Sequence, residues 1–468
     1  MNIPKYFRIN PTDAYYVYSR HPDIYSLQVF DCDDSGNAPS ARQIREHLAQ
    51  RMNRIPILGE HLEDDPVKLD YPYRVADSSG IDSHINEVFV HGKTWSECMR
   101  DFSKLMETRL DPYKSLWQVH VLREIMDVPG SRGPATALVF QFSHCATDGL
   151  GSVDLVRALL ASTQTVCEPA PDDLASRPRL RHSMFGAVRG SYNSLRLASQ
   201  TAGNYVRSRT TKTADTIELP TPGFLAGPSL GRPMSRTFPL ALADLRVPGF
   251  TITETLATAV SLAIERYAKA FELPIATYRC NVPVALPPRS TSRDLNRISP
   301  CAIDLHVLTE DLTLRASSIS QELRDGKHAA TSAAAEKFRS FVNQVPAPAL
   351  RIFTRIEARK LEVPCERVSV HTKLASYRAG PADTTLAGAP VLFASSLPSI
   401  GFNIRLAHNA IGLGDTVCIS ITAAPEAIAD IEFYEKTVRS SIVDVVTALR
   451  LGVSSDSSQD EFGRTNPL

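Results

Sequence analysis

Residues Thr136–Gly151 read TALVFQFSHCATDGLG. The first seven, Thr136 to Phe142, are largely apolar, with Thr136 and Gln141 the polar exceptions. A run without alternation expects an interior strand covered on both faces. That strand delivers Ser143 and His144 at its C-terminal end. Asp148, Gly149, Leu150 and Gly151 then read as a turn, and SVDLVRALLAS from Ser152 reads as a helix. Its buried stripe is Val153, Leu155, Val156, Leu159 and Leu160. A strand, a tight glycine-containing loop and a helix present polar groups at the edge of an α/β core. His144 is the group of interest, because an imidazole with an ordinary pKa of about 6.5 can accept a proton near neutrality. Asp148, four residues on and directly before Gly149, organises the turn, and Gly149 allows its tightness. Taken alone, the three residues are equally readable as a polar strand edge and a turn.

Elements flank this stretch on both sides. SLQVFD (Ser26–Asp31) has strand character, and Ser40 caps a helix over ARQIREHLAQRM with apolar Ile44 and Leu48. Thr94 and Glu97 form a capping box before CMRDFSKLMETRL, whose Met99, Phe102, Leu105 and Met106 make an amphipathic face. LWQVHVLREI (Leu116–Ile125) is a further strand. Composition changes at CEPAPDDLASRPRLRH, a Pro-rich, charged stretch that opens an inter-domain connection. YNSLRLASQTAGNYVRSR is a candidate linker helix, and Leu219–Pro233 is expected to be irregular.

Beyond it lies a second α/β half. Thr251 and Glu254 form another capping box, before a helix with Leu256, Val260, Ile264 and Tyr267 on one face. TYRCNVPVAL, CAIDLHVL and TVCISITA read as strands, TLRASSISQELRDG and AIADIEFYEKTVRSSIVDVVTALR as helices. No regular βα repeat separates the strands, so mixed sheets are expected. The division is 1–175 for the first half, 176–235 for the linker, 236–457 for the second half and 458–468 for a flexible tail.

Length and charge narrow the function. A chain of 468 residues exceeds one ordinary core and suits two. Lys plus Arg (51) equal Asp plus Glu (51), so no overall positive field gathers nucleic acid. The eight cysteines, Cys32, Cys98, Cys145, Cys167, Cys280, Cys301, Cys365 and Cys418, form no CxxC or compact zinc pattern. They read as reduced thiols, and no metal is called for. The charged, Pro-interrupted opening lacks the apolar run of a secretory signal, and no stretch supplies eighteen consecutive apolar residues. A cytoplasmic enzyme is expected, with peripheral attachment to a membrane or lipid droplet left open.

The His144-Cys-Ala-Thr-Asp148-Gly149 sequence has the HxxxDG form. Asn10-Pro-Thr-Asp-Ala14, Leu110–Trp117 (LDPYKSLW), Ala226–Arg232 (AGPSLGR), Ile252–Thr255, Val282-Pro-Val284, Ser376–Pro381 (SYRAGP) and Leu386-Ala-Gly388 follow in order. In these segments the chain resembles the wax ester synthase/diacylglycerol acyltransferase family, within the HxxxDG coenzyme-A-dependent acyltransferase and condensation-domain superfamily. The resemblance implies two chloramphenicol-acetyltransferase-like α/β domains with mixed sheets and a connecting crossover, enclosing a tunnel that reaches His144 from opposite faces. It implies that His144 is the catalytic base and that Asp148 and Gly149 are structural. Ser143, Thr253 and Tyr377 are candidate pocket-lining residues, as are Trp117 and Phe142, for which ordinary core packing is the stronger reading. Family relatives carry a second histidine where this chain has Ser143, and asparagines where it has Ala226, Thr253 and Tyr377.

The activity implied is O-acyl transfer from an acyl-CoA cosubstrate to an alcohol or diacylglycerol-like acceptor, with no permanently bound cofactor. The alternatives are a natural-product acyltransferase or condensation enzyme, or one whose donor is an acyl-carrier protein, and a catalytically inactive interaction protein of the same fold. A covalent route through Cys145 would need its thiol to meet the His144 ring, whereas neighbouring side chains of a strand point to opposite faces. Hydrolysis is disfavoured by the lack of a GxSxG nucleophile elbow.

Overall fold

The computed structural model describes residues 7–88, 90–160, 219–229, 231–286, 295–361, 366–401 and 403–462. Cys167, Cys365, the candidate linker helix and most of the linker fall outside them. The first half supplies β1 (Phe7–Arg8), β2 (Ile24–Phe30), β3 (Glu60–Glu63), β4 (Tyr73–Ala76), β5 (Ile85–Val88), β6 (Trp117–Ile125) and β7 (Ala135–Phe142). The second supplies β8 (Met234–Ala241), β9 (Arg279–Asn281), β10 (Val284–Ala285), β11 (Ile298–Ser299), β12 (Ala302–Asp304) and β13 (Thr372–Gly380). It continues with β14 (Thr385–Leu386), β15 (Ala389–Leu397), β16 (Leu406–Leu413) and β17 (Thr416–Ala423). Four helices of the first half are α1 (Pro11–Tyr18), α2 (Ala41–Met52), α3 (Trp95–Leu105) and α4 (Gly149–Leu160).

Two six-stranded sheets carry the molecule, ordered β14-β15-β2-β7-β6-β5 and β12-β9-β13-β16-β17-β8. Both are mixed: β5 and β6 run parallel in the first, and β13 runs parallel to β9 and β16 in the second. After β13 the chain leaves the second sheet, adds β15 antiparallel to β2 in the first, and returns as β16. This is the crossover between the two α/β domains. It is fastened by hydroxyls, with Ser395 Oγ and Ser420 Oγ 2.6 Å apart and Thr237 Oγ1 2.9 Å from Ser420 Oγ.

The apolar run of β7 is explained by cover on both faces. Ala135, Ala137 and Val139 join a core with Trp95, Cys98, Met99 and Phe102 of α3. Leu138, Phe140 and Phe142 join another with Ile44 and Leu48 of α2 and Val153, Val156 and Leu159 of α4. Each fully buried large side chain contributes about 1.5–3 kcal/mol. Gln141 is tolerated because its amide is satisfied, donating to Asp23 Oδ2 at 2.7 Å and to Thr108 O at 2.8 Å. Its Oε1 accepts from Gln118 Nε2 at 2.9 Å.

The cap read at Ser40 and the capping boxes read at Thr94 and Thr251 all form, and Ser40 closes a box of its own with Gln43. Helix Ile252–Ala270 buries Leu256, Val260, Ile264 and Tyr267 against Tyr434, Val438, Ile442 and Leu449 of the final helix. That helix continues beyond Arg450 to Phe462. TYRCNVPVAL, expected as one strand, is two short pieces, because Pro283 between them offers no N–H to a ladder. CAIDLHVL keeps only Ala302–Asp304 as strand; His306, at φ 49°, turns the chain away. β8 begins at Met234, inside the span read as linker. Leu155 and Leu105 are only partly buried. No helix among the described residues is long and apolar enough to cross a membrane.

Candidate active site

The chain turns immediately after β7. Ser143 N–H donates to Leu116 O at 2.9 Å, and Ala146 N–H closes a turn on Ser143 O at 2.8 Å. α4 then starts at Gly149, and Asp148 is its cap: the carbonyl accepts from Ser152 N at 2.9 Å, and Oδ1 accepts from Gly151 N at 2.8 Å. Asp148 Oδ2 reaches across to accept from Arg297 N at 2.8 Å. One carboxylate therefore closes the motif loop and straps a segment of the second half to it.

That strap places Asn296. Its Nδ2 donates to Asp13 Oδ1 at 2.8 Å and to His144 O at 2.8 Å, and its Oδ1 lies 2.9 Å from His144 Nδ1. A carboxylate and a carbonyl only accept, so the amide orientation is determined and Oδ1 must be the acceptor toward the ring. Nδ1 of His144 therefore carries the proton, and Nε2 presents a lone pair. Asp13 is held in the first turn of α1 by Asn10, whose Oδ1 accepts from Asp13 N at 2.7 Å and whose Nδ2 donates to Asp13 Oδ2 at 2.8 Å. Three segments distant in sequence thus converge on one imidazole.

The ring is also sandwiched. Tyr16 stacks on His144 with centroids 4.0 Å apart and planes 2° from parallel, and His21 meets it edge-on at 4.9 Å. Burial lowers the His144 pKa to about 4, the nearby Lys373 ammonium pushing the same way. Burial likewise pushes His21 well below its ordinary value. Both imidazoles are neutral at neutral pH.

His144 lines a cavity of about 180 Å³ built from both halves and the crossover. His21, Gly149 and Leu150 come from the first half, Lys373 and Tyr377 from β13, and Ser396 from β15. Thr253 does not face it; it lines a second cavity of about 280 Å³ at the start of helix Ile252–Ala270. Ser376 and Tyr377 border both cavities, so Tyr377 is a partition between them.

Other sequence-predicted residues fall elsewhere. Trp117 is fully buried, stacks on His84 at 4.7 Å and donates Nε1–H to Leu58 O at 2.9 Å. Phe142 packs beside Phe140 in the same core. Both are core residues because β6 and β7 point them toward α2 and α4. Ser143 is also turned inward, its Oγ 3.2 Å from Cys145 Sγ. Burial raises the Cys145 thiol to about 12, which disfavours a thiolate nucleophile. Gly149 needs no left-handed backbone, and a Cβ there would meet the Tyr377 ring at an ordinary 3.6 Å. The steric requirement sits at Gly151, where a Cβ would lie 2.4 Å from Thr147 Oγ1.

Sequence reading did not single out Asn296, Tyr16, His21 or Lys373. The Asn10–Ala14 segment held a signal for Asp13, as an asparagine cap before Pro11 with an acid in the first turn. Nothing local marks Asn296, which is defined only by what it joins.

The wax ester synthase/diacylglycerol acyltransferase catalytic domain model matches residues 9–247, a span holding Asp13, Tyr16, the motif loop and α4. The chain belongs to this family. One relative is a "Putative diacyglycerol O-acyltransferase" of Mycobacterium bovis, 26% identical over 253 residues, which are 49% of this chain and 53% of the relative. A protein of the same printed name from Mycobacterium tuberculosis is 24% identical over 269 residues, 52% of this chain and 54% of its own. The chain spans about half the length of these curated relatives. The solved wax ester synthase/diacylglycerol acyltransferase from Marinobacter aquaeolei VT8 superposes with a TM-score of 0.62 at 15% identity, covering 96% of this chain and 100% of that one. A trichothecene 15-O-acetyltransferase from Fusarium sporotrichioides gives a TM-score of 0.54 at 14% identity, covering 96% and 98%. At such identities the likeness establishes the two-domain fold. Against the family pattern, the Ser143 departure lies outside the cavity wall, whereas Tyr377 stands in it.

Proposed function

We propose that this protein transfers an acyl group from a coenzyme A thioester to an alcohol, with His144 as the general base. The observation that carries the reading is the Asp13–Asn296–His144 chain, which leaves a proton-accepting Nε2 on a ring that lines a cavity. Membership of the acyltransferase family supports the reaction class.

In this mechanism the alcohol binds with its hydroxyl at Nε2. As its oxygen forms a bond to the thioester carbonyl carbon, its proton passes to His144 and the carbonyl becomes a tetrahedral oxyanion. Collapse breaks the C–S bond, and the imidazolium returns the proton to the departing thiolate, giving an ester and free coenzyme A. Asn296 keeps Nδ1 protonated throughout, and the stacked Tyr16 holds the ring in plane. Asp148 works by positioning, through Gly151 and Arg297. A carrier-protein thioester would follow the same chemistry.

The test is incubation of the purified protein with short- and long-chain acyl-CoAs and a panel of alcohols, with products identified by mass spectrometry. Ester and coenzyme A are expected in equal amounts. His144→Ala, shown by circular dichroism to remain folded, should lose roughly 10²- to 10⁴-fold in kcat. Unchanged turnover in that variant would remove His144 from its role.

A lipid-surface location is supported by exposed Phe338, Ile352, Phe353 and Ile356 on helices Ala333–Val342 and Ala347–Leu361. Co-sedimentation with liposomes, reduced by Phe353→Ser, tests it.

A further inference from the structure

Lys373 lies on β13, and a strand sends alternate side chains to one face, so Lys373, Ala375 and Tyr377 look into the His144 cavity. Leu374, between them, faces the opposite core. Among the described residues the Lys373 ammonium has no hydrogen-bond or ion-pair partner, in contrast to Lys93 with Asp101 or Lys269 with Glu265. The described lining of this cavity contains no carboxylate; its other titratable groups are His21, His144, His408, Tyr25 and Tyr377. A half-buried cation in a cavity without a counterion is costly, and a lysine so placed is ordinarily paired or has a ligand to meet. Burial lowers its pKa only to about 8, so it stays charged at neutral pH.

We infer that Lys373 is the anion anchor of the reaction cavity, and that one of the two reactants carries a carboxylate that pairs with it while its reacting group lies at His144. The inference rests on the proposed acyl transfer for the identity of the reactants, and on the geometry alone for the anion site. A single ammonium is a point charge, and one unit of positive charge is balanced by a monoanion such as a carboxylate. The cavity of about 180 Å³ is below the roughly 300–1,000 Å³ of sites for drug-sized ligands, which suits a short carboxylated molecule. Pairing has a second effect. The Lys373 charge depresses the His144 pKa, so neutralising it on binding makes the imidazole a better base when the correct reactant is present.

The carboxylate could sit on the acceptor, as a hydroxy acid, or on the donor, as a dicarboxylic half-thioester. Two arms separate these sources. Octanoyl-CoA is offered 6-hydroxyhexanoate or its methyl ester, and hexan-1-ol is offered glutaryl-CoA or its methyl ester. In one arm the charged reactant is expected to be preferred by on the order of tenfold in kcat/KM, with the preference abolished in Lys373→Met and in Lys373→Gln. Binding is measured in parallel by titration calorimetry with monomethyl glutarate and dimethyl glutarate, a readout that needs no turnover. The monoanion should bind wild type on the order of tenfold more tightly than the diester, and this margin should vanish in both variants. Lack of preference for the charged reactant in both arms, or a preference that survives in folded variants, overturns the inference. If no acyl transfer occurs with any pair while monoanion binding still depends on Lys373, the acyl-transfer reading fails and the anion site stands.

Discussion

Asn296 Oδ1 accepts the Nδ1 proton of His144 across 2.9 Å, joining residues 152 positions apart in the chain. The bond matters because it selects a tautomer. Without it, Nδ1 and Nε2 would share the proton, and the nitrogen facing the cavity would be a donor for part of the time.

Asn296→Ala removes this selection and the amide hydrogen bond to Asp13 Oδ1. The expected loss in kcat is at least about tenfold, short of the roughly 10²- to 10⁴-fold that a general base contributes. KM should change less than kcat, because the ring remains stacked on Tyr16. Steady-state kinetics on the folded variant measure both quantities, and a change confined to KM would count against a role in orienting the base.

The lowered pKa of His144 makes a signed prediction about stability. In the folded protein the ring titrates at about 4, and in the unfolded chain near its ordinary value of about 6.5. Between those values the unfolded state binds the extra proton, so the contribution of neutral His144 is present above about 6.5 and is lost as pH falls toward 4. Asp23 opposes this trend, since burial raises it to about 6 and its linkage favours the folded state at low pH. Wild type compared with His144→Ala isolates the histidine. Urea unfolding at pH 7 and pH 4 should show the wild-type advantage shrinking by up to roughly 3 kcal/mol at the lower pH.

Gly149 and Gly151 should respond differently to alanine. A Cβ at Gly149 meets Tyr377 at 3.6 Å, whereas one at Gly151 would lie 2.4 Å from Thr147 Oγ1. Gly151→Ala is expected to cost about 1–3 kcal/mol through overpacking of the loop. Gly149→Ala should stay within about 1 kcal/mol of wild type. Thermal unfolding of the two variants, monitored side by side, provides the check; equal losses would contradict the steric argument.

Tyr377 separates the His144 cavity, about 180 Å³, from the neighbouring cavity of about 280 Å³. Tyr377→Asn should join them and shift the preferred acyl-CoA or alcohol toward longer chains. Product profiles over a graded series of chain lengths would register the shift. An unchanged optimum would show that the second cavity takes no part in binding the chain.

Local patterns carried much of this reading. The cap at Ser40, the capping boxes at Thr94 and Thr251, the strand that ends before His144 and the helix after Asp148 follow from side-chain periodicity and cap chemistry, which act within a few residues. The HxxxDG spacing was legible for the same reason, since Asp148 bonds backbone only three residues away in addition to its longer strap. The errors arose where faces had to be assigned. Phe142 and Ser143 adjoin His144 in sequence and Trp117 lies on the neighbouring strand, yet all three side chains point into the core. Thr253 and Tyr377 were read alike, and only the packing of helix Ile252–Ala270 against β13 leaves Thr253 in the second cavity and puts Tyr377 between the two.

By itself the sequence determined the starts of the three capped helices and which histidine could serve as a base, because those properties depend on neighbours along the chain. Tertiary structure alone decided which nitrogen of His144 is free, that Lys373 stands in the same cavity with no partner among the described residues, and that Tyr377 divides the space. Asn296, Asp13 and Lys373 reach the ring from separate segments. Hydrogen bonding and desolvation depend on distance in space, and the crossover that brings these segments together leaves no periodic trace in the chain.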